Sequence, residues 1–183
     1  MIDRVRAMRL GGEAGYSLVE LLTVMLIMGV VMAGITGVFV SGSKAQADQD
    51  RRLQAQLSTR QAMDKIRRDI HCANDVTPYA SNAVTLKLSS GCGGDVSWCT
   101  SAVTGSTNRY RLYRQLGTSC SAAGGIMVAD YLTSADAFPI FLHETGCSCL
   151  ASLRVDFPVS LKGSTVDAYE LTDTIYLRNS TRI

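Results

Sequence analysis

Residues 21–40 read LLTVMLIMGVVMAGITGVFV, a run without a single charged side chain. Wound as an α-helix at about 1.5 Å per residue, it is roughly 30 Å long, the thickness of a bilayer's hydrocarbon core, so its length and composition predict a membrane-crossing helix. That run dictates the plan of the rest. The leader before it carries Arg4, Arg6 and Arg9 against Asp3 and Glu13, a basic excess that predicts a cytoplasmic N-terminus and a C-terminal bulk on the far side. Glu20 stands at the entrance to the run. A carboxylate costs about 2.5 to 3.5 kcal/mol at the centre of a span and less near the interface, so an acid here asks for a partner.

The entrance itself reads Gly15-Tyr16-Ser17-Leu18-Val19-Glu20-Leu21-Leu22. A glycine, an aromatic residue, an acid four residues after the aromatic and then an uninterrupted apolar run must all coincide, and in this the stretch resembles the signature of the type IV pilin and type II secretion pseudopilin superfamily. The resemblance implies cleavage after Gly15 by a prepilin peptidase, methylation of the new amino terminus at Tyr16, and a Glu20 side chain that meets the amino terminus of a neighbouring subunit in a fibre. Physical chemistry agrees with that pairing, because a carboxylate in low dielectric is tolerated when a cation answers it, and the pair would set register. Gly37 stands where many major pilins have a helix-breaking proline. Gly29, Gly34 and Gly37 each weaken a helix by up to about 1 kcal/mol relative to alanine, which supports the hypothesis that the stalk melts locally during assembly. Two plainer readings compete. A secretory signal cut near Ala33 would lack the internal charge and have a shorter core, and a simple anchor leaves the coincidence of Gly15, Tyr16 and Glu20 unexplained.

The expected organisation is a leader over residues 1–15, a transmembrane and assembly helix over 16–40, an amphipathic continuation over 41–73 and an extracytoplasmic β-rich domain over 74–183. No proline interrupts residues 41–73, and Leu53, Leu57, Met63, Ile66, Ile70 and Ala73 recur at helical spacing. Arg60 with Asp64 and Asp64 with Arg68 are spaced for ion pairs on a solvated face, where Arg51, Arg52, Arg67 and Arg68 meet water or neighbouring subunits. Asn74, Asp75 and Pro78 mark the break. Strands are expected at residues 83–88, 108–116, 126–132, 140–143, 151–158 and 169–178, with loops at 91–106, 119–125 and 161–168. Trp98 lies in the first of these loops, where packing against a disulfide explains it better than an exposed contact. The fold class is α+β, pilin-like: one long helix on an antiparallel sheet.

Cys72, Cys92, Cys99, Cys120, Cys147 and Cys149 all follow the span. An even number in a segment expected outside the cytoplasm predicts disulfides, whose pairing sequence alone leaves open. Cys92 with Cys99 is the preferred local pair, and Cys147 and Cys149 are expected to reach distant partners, with Cys72 and Cys120 as candidates. His143 precedes Cys147 by four residues, yet no CxxC and no second histidine accompany it, so no metal site is expected. Nor is there a nucleophile with a base, a carboxylate pair or a phosphate loop, so neither a catalytic residue nor a cofactor nor a small-molecule substrate is expected. Asp48, Asp50, Asp64 and Asp69 interleave with the arginines, and the chain's formal net charge is only +2, which argues against nucleic acid as a partner.

Arg67-Arg68-Asp69 on the helix, a middle strand over residues 110–114 and a closing Leu177-Arg178-Asn179 are similar to the pattern of J-type minor pseudopilins and W-type minor pilins. The resemblance implies a structural subunit of a type IV pilus or secretion pseudopilus in the inner membrane, with other major and minor subunits as partners. Two alternatives are carried beside it. A competence-pilus subunit that captures DNA would use Arg51, Arg52, Arg109 and Arg111; a membrane-anchored extracytoplasmic enzyme would keep its leader.

Overall fold

The computed structural model describes residues 16–89, 91–143, 149–161 and 168–180. The expected leader, Cys147 and most of the turn at 161–168 lie outside these residues. A helix, α1, spans Leu18–Cys72, and eight strands follow: β1 Ala73–Ala80, β2 Ala83–Leu88, β3 Val96–Ala102, β4 Tyr110–Leu116, β5 Ile126–Leu132, β6 Ile140–Leu142, β7 Ser152–Val159 and β8 Tyr169–Tyr176. The chain divides into two compact units, residues 1–47 and 48–183.

In the first unit the described residues are α1 as far as Ala47 and its short approach, all exposed. α1 passes through Gly29, Gly34 and Gly37 without interruption; Thr36 Oγ1 and Ser41 Oγ bond back to the carbonyls of Met32 and Gly37.

The second unit takes the last turns of α1 and all the strands. Every ladder is antiparallel, in the order β1-β2-β3-β4-β5-β7-β6, with β8 also on β7. The helix buries Ala55, Thr59, Ala62, Met63, Ile66 and Ile70, which recur at three- and four-residue steps and so lie on one face. Leu53 and Leu57, expected on that stripe, are exposed: they lie two positions from Ala55, about 200° around the helix, and the small Ala55, Thr59 and Ala62 take the face instead. Against this face the sheet sets Val84, Leu86, Val96, Trp98, Leu112, Leu153, Val155 and Phe157, joined by Leu177 just after β8, in a single core.

Two strands correct the sequence expectation. β1 occupies the residues expected as a break, since an edge strand accommodates Pro78, and its register shifts absorb the irregularity. β3 occupies residues expected as loop. Its Ser97 is buried, but Ser97 Oγ donates to the Gly117 carbonyl and bonds Thr85 Oγ1, so the polar side chain costs little there. α1 ends at Cys72 rather than Ala73, which opens β1.

Two disulfides join described residues, Cys72–Cys92 and Cys99–Cys120. The expected Cys92–Cys99 pair is therefore wrong, and Cys72 and Cys120 are not partners of Cys147 or Cys149. Antiparallel folding explains why. Cys99 lies inside β3, beside Tyr113 of β4, and so faces the segment after β4, whereas Cys92 lies in the loop before β3, near the end of α1. Cys149 is also disulfide-bonded.

Candidate functional site

The residues singled out for processing and register sit at the head of α1. Ser17 is the residue before the first helical turn, and its carbonyl accepts from the amides of Glu20 (2.9 Å) and Leu21 (3.1 Å). Tyr16, just ahead, is 82% exposed. Glu20 lies in the first turn, where the positive end of the helix dipole favours a carboxylate. Among the described residues no ion pair or hydrogen bond engages that carboxylate. Gly15 lies outside them, so the structure brings Tyr16 and Glu20 together on one short segment and leaves the cleavage position to sequence.

Beyond Glu20 the helix carries Leu21, Leu22, Met25, Leu26, Ile27, Val31, Ile35, Val38 and Phe39, all exposed, and it is long and apolar enough to cross a membrane. A helix apolar all round is stable when lipid or other helices cover it, because its backbone polar groups are satisfied internally.

The second unit holds the polar clusters. Asp69, on the helix, accepts from Trp98 Nε1 (3.0 Å) and from Arg114 Nε (2.8 Å) and Nη2 (3.2 Å), tying α1 to β3 and β4. Sequence reading named Asp69 and Trp98 but missed this contact; the signal was an acid beside the core stripe, facing a lone indole that needs an acceptor. Arg67, expected to face water or neighbours, instead pairs with Asp173 of β8 at 2.7 Å and with Asp64 at 3.2 Å. The latter replaces the expected four-residue pairs of Asp64 with Arg60 and Arg68. Arg60 donates to Tyr169 Oη and lies over its ring.

Arg109 and Arg111 meet one acid. Arg109 Nη2 lies 2.7 Å and Arg111 Nε 3.2 Å from Asp130 Oδ2, while the Arg109 guanidinium stacks 3.9 Å over Tyr131, a residue with φ of 66°. Burial alone would raise the Asp130 pKa, but hydrogen bonds from Arg109, the Tyr131 amide and Arg111 outweigh it and hold the carboxyl below its usual value. Hydrogen bonds to Asp130 in turn raise both arginines further above their ordinary range. These cations, put forward as DNA contacts, are thus engaged within the chain. His71 Nδ1 lies 3.2 Å from the Tyr176 carbonyl, and His143 Nδ1 lies 3.7 Å from Asp75. Among the described residues no three of His, Cys, Asp and Glu gather as metal ligands.

The family model for the prokaryotic N-terminal methylation motif matches residues 11–36, the segment that holds Tyr16, Glu20 and most of the exposed apolar run. No curated protein and no solved structure matches the chain. The chain carries, at the head of one long helix followed by an antiparallel sheet, the N-terminal signature of the type IV pilins and pseudopilins.

Proposed function

We propose that the chain is a minor pilin or pseudopilin, a structural subunit that helps to initiate or cap a type IV pilus or a type II secretion pseudopilus. One observation carries this reading: the methylation motif coincides with a helix whose apolar side chains are exposed on every side. In this reading a prepilin peptidase removes residues 1–15 after Gly15, and the new amino terminus at Tyr16 is methylated. Residues 16–40 anchor the subunit in the inner membrane, N-terminus in the cytoplasm, and later pack in the fibre core. Residues 41–73 continue the stalk, and residues 74–183 form the extracytoplasmic domain.

Glu20 pairs with the amino terminus of a neighbouring subunit. Inside a lipid or helix-packed environment either charge alone is expensive, so each is satisfied only where the other is in register. Minor status and the J-type or W-type likeness draw support from the Asp69–Arg114 pair, which joins two segments of that pattern across the helix–sheet contact. The role is assembly with major and minor subunits, without catalysis or a cofactor.

The test is the intact mass and N-terminal sequence of the protein recovered from cells with and without an active prepilin peptidase. A chain that begins at Tyr16 with one extra methyl, only where the peptidase is present, is the expected result. A chain that begins at Met1 or near Gly34 in both strains discards the reading.

A further inference from the structure

Beside the last turns of α1 the second unit carries an open groove of about 540 Å³, with Lys65 and Arg68 on its helix wall and Leu88, Val96 and Leu116 on its sheet wall. Its walls are held in place. The Cys72–Cys92 link ties the last helical residue to the loop before β3, and the contacts of Asp69 with Trp98 and Arg114 fix the floor. A preformed surface of this kind loses little entropy when a partner settles on it.

Two of its features find no answer among the described residues. The first is charge. Asp69 is the one carboxylate among the lining residues, and it is taken by Arg114; the acid of the neighbouring loop, Asp95, is taken by Lys87 Nζ at 2.6 Å. Among the described residues no ion pair reaches Lys65 or Arg68, although Lys65 is half-buried. The second is apolar surface. Leu116 is 72% exposed and Ile126 68%. Ile126 stands opposite Arg114 in the β4–β5 ladder and so shares its face, extending the apolar lip.

We propose that this groove docks an acidic, apolar segment of another protein chain, its carboxylates on Lys65 and Arg68 and its apolar side chains on Leu116 and Ile126. Charge complementarity selects the sign of the partner and makes docking salt-dependent, while covering Leu116 and Ile126 supplies the apolar contact at the centre. Nucleic acid suits the groove poorly, because bases stack on exposed aromatic rings and the nearby Trp98 is fully buried. The proposal stands independently of which fibre the subunit serves.

The test uses the full chain in nanodiscs and fluorescein-labelled peptides of about ten residues, read by anisotropy against empty discs. The alternating Leu/Asp peptide is expected to bind about tenfold more tightly than Leu/Asn, Leu/Lys or Ser/Asp peptides, and more weakly as salt rises. Lys65→Glu with Arg68→Glu should cost about tenfold and flatten the salt dependence, with Lys65→Gln and Arg68→Gln as a milder pair should the reversal disturb folding; Leu116→Ser should weaken binding several-fold. Equal binding of the Leu/Asn and Leu/Asp peptides, or affinity untouched by these substitutions, overturns the proposal. So does self-association of the chain that Leu116→Ser abolishes, which would give the groove to a second copy.

Discussion

α1 is apolar in two different ways. Over residues 21–40 it is apolar on every side and none of the described residues covers it; over residues 48–72 it is apolar on one stripe, and that stripe is sealed. Leu26 and Ile66 make the contrast concrete, since they are of similar size and share one helix, yet Leu26 is 68% exposed and Ile66 is fully buried. The first segment has been given the composition that suits a nonaqueous surrounding, and the second that suits a protein core. Regular backbone hydrogen bonding serves both, which is how one helix can be used in two solvents.

Substitutions can break or sharpen this contrast. The largest effect is expected at Asp69→Ala, which strands the Arg114 guanidinium and the Trp98 N–H in a mostly buried setting; denaturant unfolding should show a loss of about 3 to 5 kcal/mol, and a loss below about 1 would dissolve the helix–sheet network as described. Ile66→Ala should follow at about 2 to 5 kcal/mol, with the cost set by how far the cavity collapses. Gly117→Ala is milder. At φ of 104° the residue is where side chains are disfavoured, although open space surrounds the added methyl, so about 1 kcal/mol or somewhat more should be lost through the backbone alone.

Asp130→Asn tests the polar side of the domain by its pH dependence. Because the folded carboxyl titrates below its unfolded value, its stabilising contribution is complete above about pH 4 and disappears as the pH falls through the lowered folded value. The variant should therefore be less stable than the parent at neutral pH and show a flatter loss below about pH 4; parallel acid limbs would remove Asp130 from the account. The smallest effect is expected at Leu26→Ala, within about 0.5 kcal/mol in the unfolding of the second unit. A Leu26 effect matching that of Ile66 would erase the contrast between the two segments.

Alternation made β2 and β7 legible in sequence, and short runs rich in apolar residues located β4, β5, β6 and β8 to within about two residues. β7 is the clearest, with Leu153, Val155 and Phe157 fully buried. β3 hid for the opposite reason. Val96, Ser97, Trp98 and Cys99 are all buried, so no alternation marks the strand, and its Ser and Thr content imitates a loop. β1 hid behind Asn74, Asp75 and Pro78, residues that punctuate most chains but sit acceptably on a sheet edge. At the candidate site the position of Tyr16 and Glu20 was readable because the motif is local. The disulfide pairing, the sharing of Asp130 by two arginines and the role of Asp69 were not, since each depends on strands brought together from distant parts of the sequence.

The junction at Cys72 and Ala73 has a mechanical consequence. The helix passes into the first strand with no intervening loop, so tension drawn along residues 48–72 meets the sheet without slack. The Cys72–Cys92 bond then acts as a shunt across a sequence separation of 20 residues, taking roughly 65 Å of extensible contour out of the path of the force. With Arg67 on Asp173 and Asn179 on the His71 carbonyl, the same end of the helix is also moored to the last strand and the turn beyond it. Under tension the chain should therefore yield by giving up whole ladders at once, not by paying out its first hairpin one residue at a time.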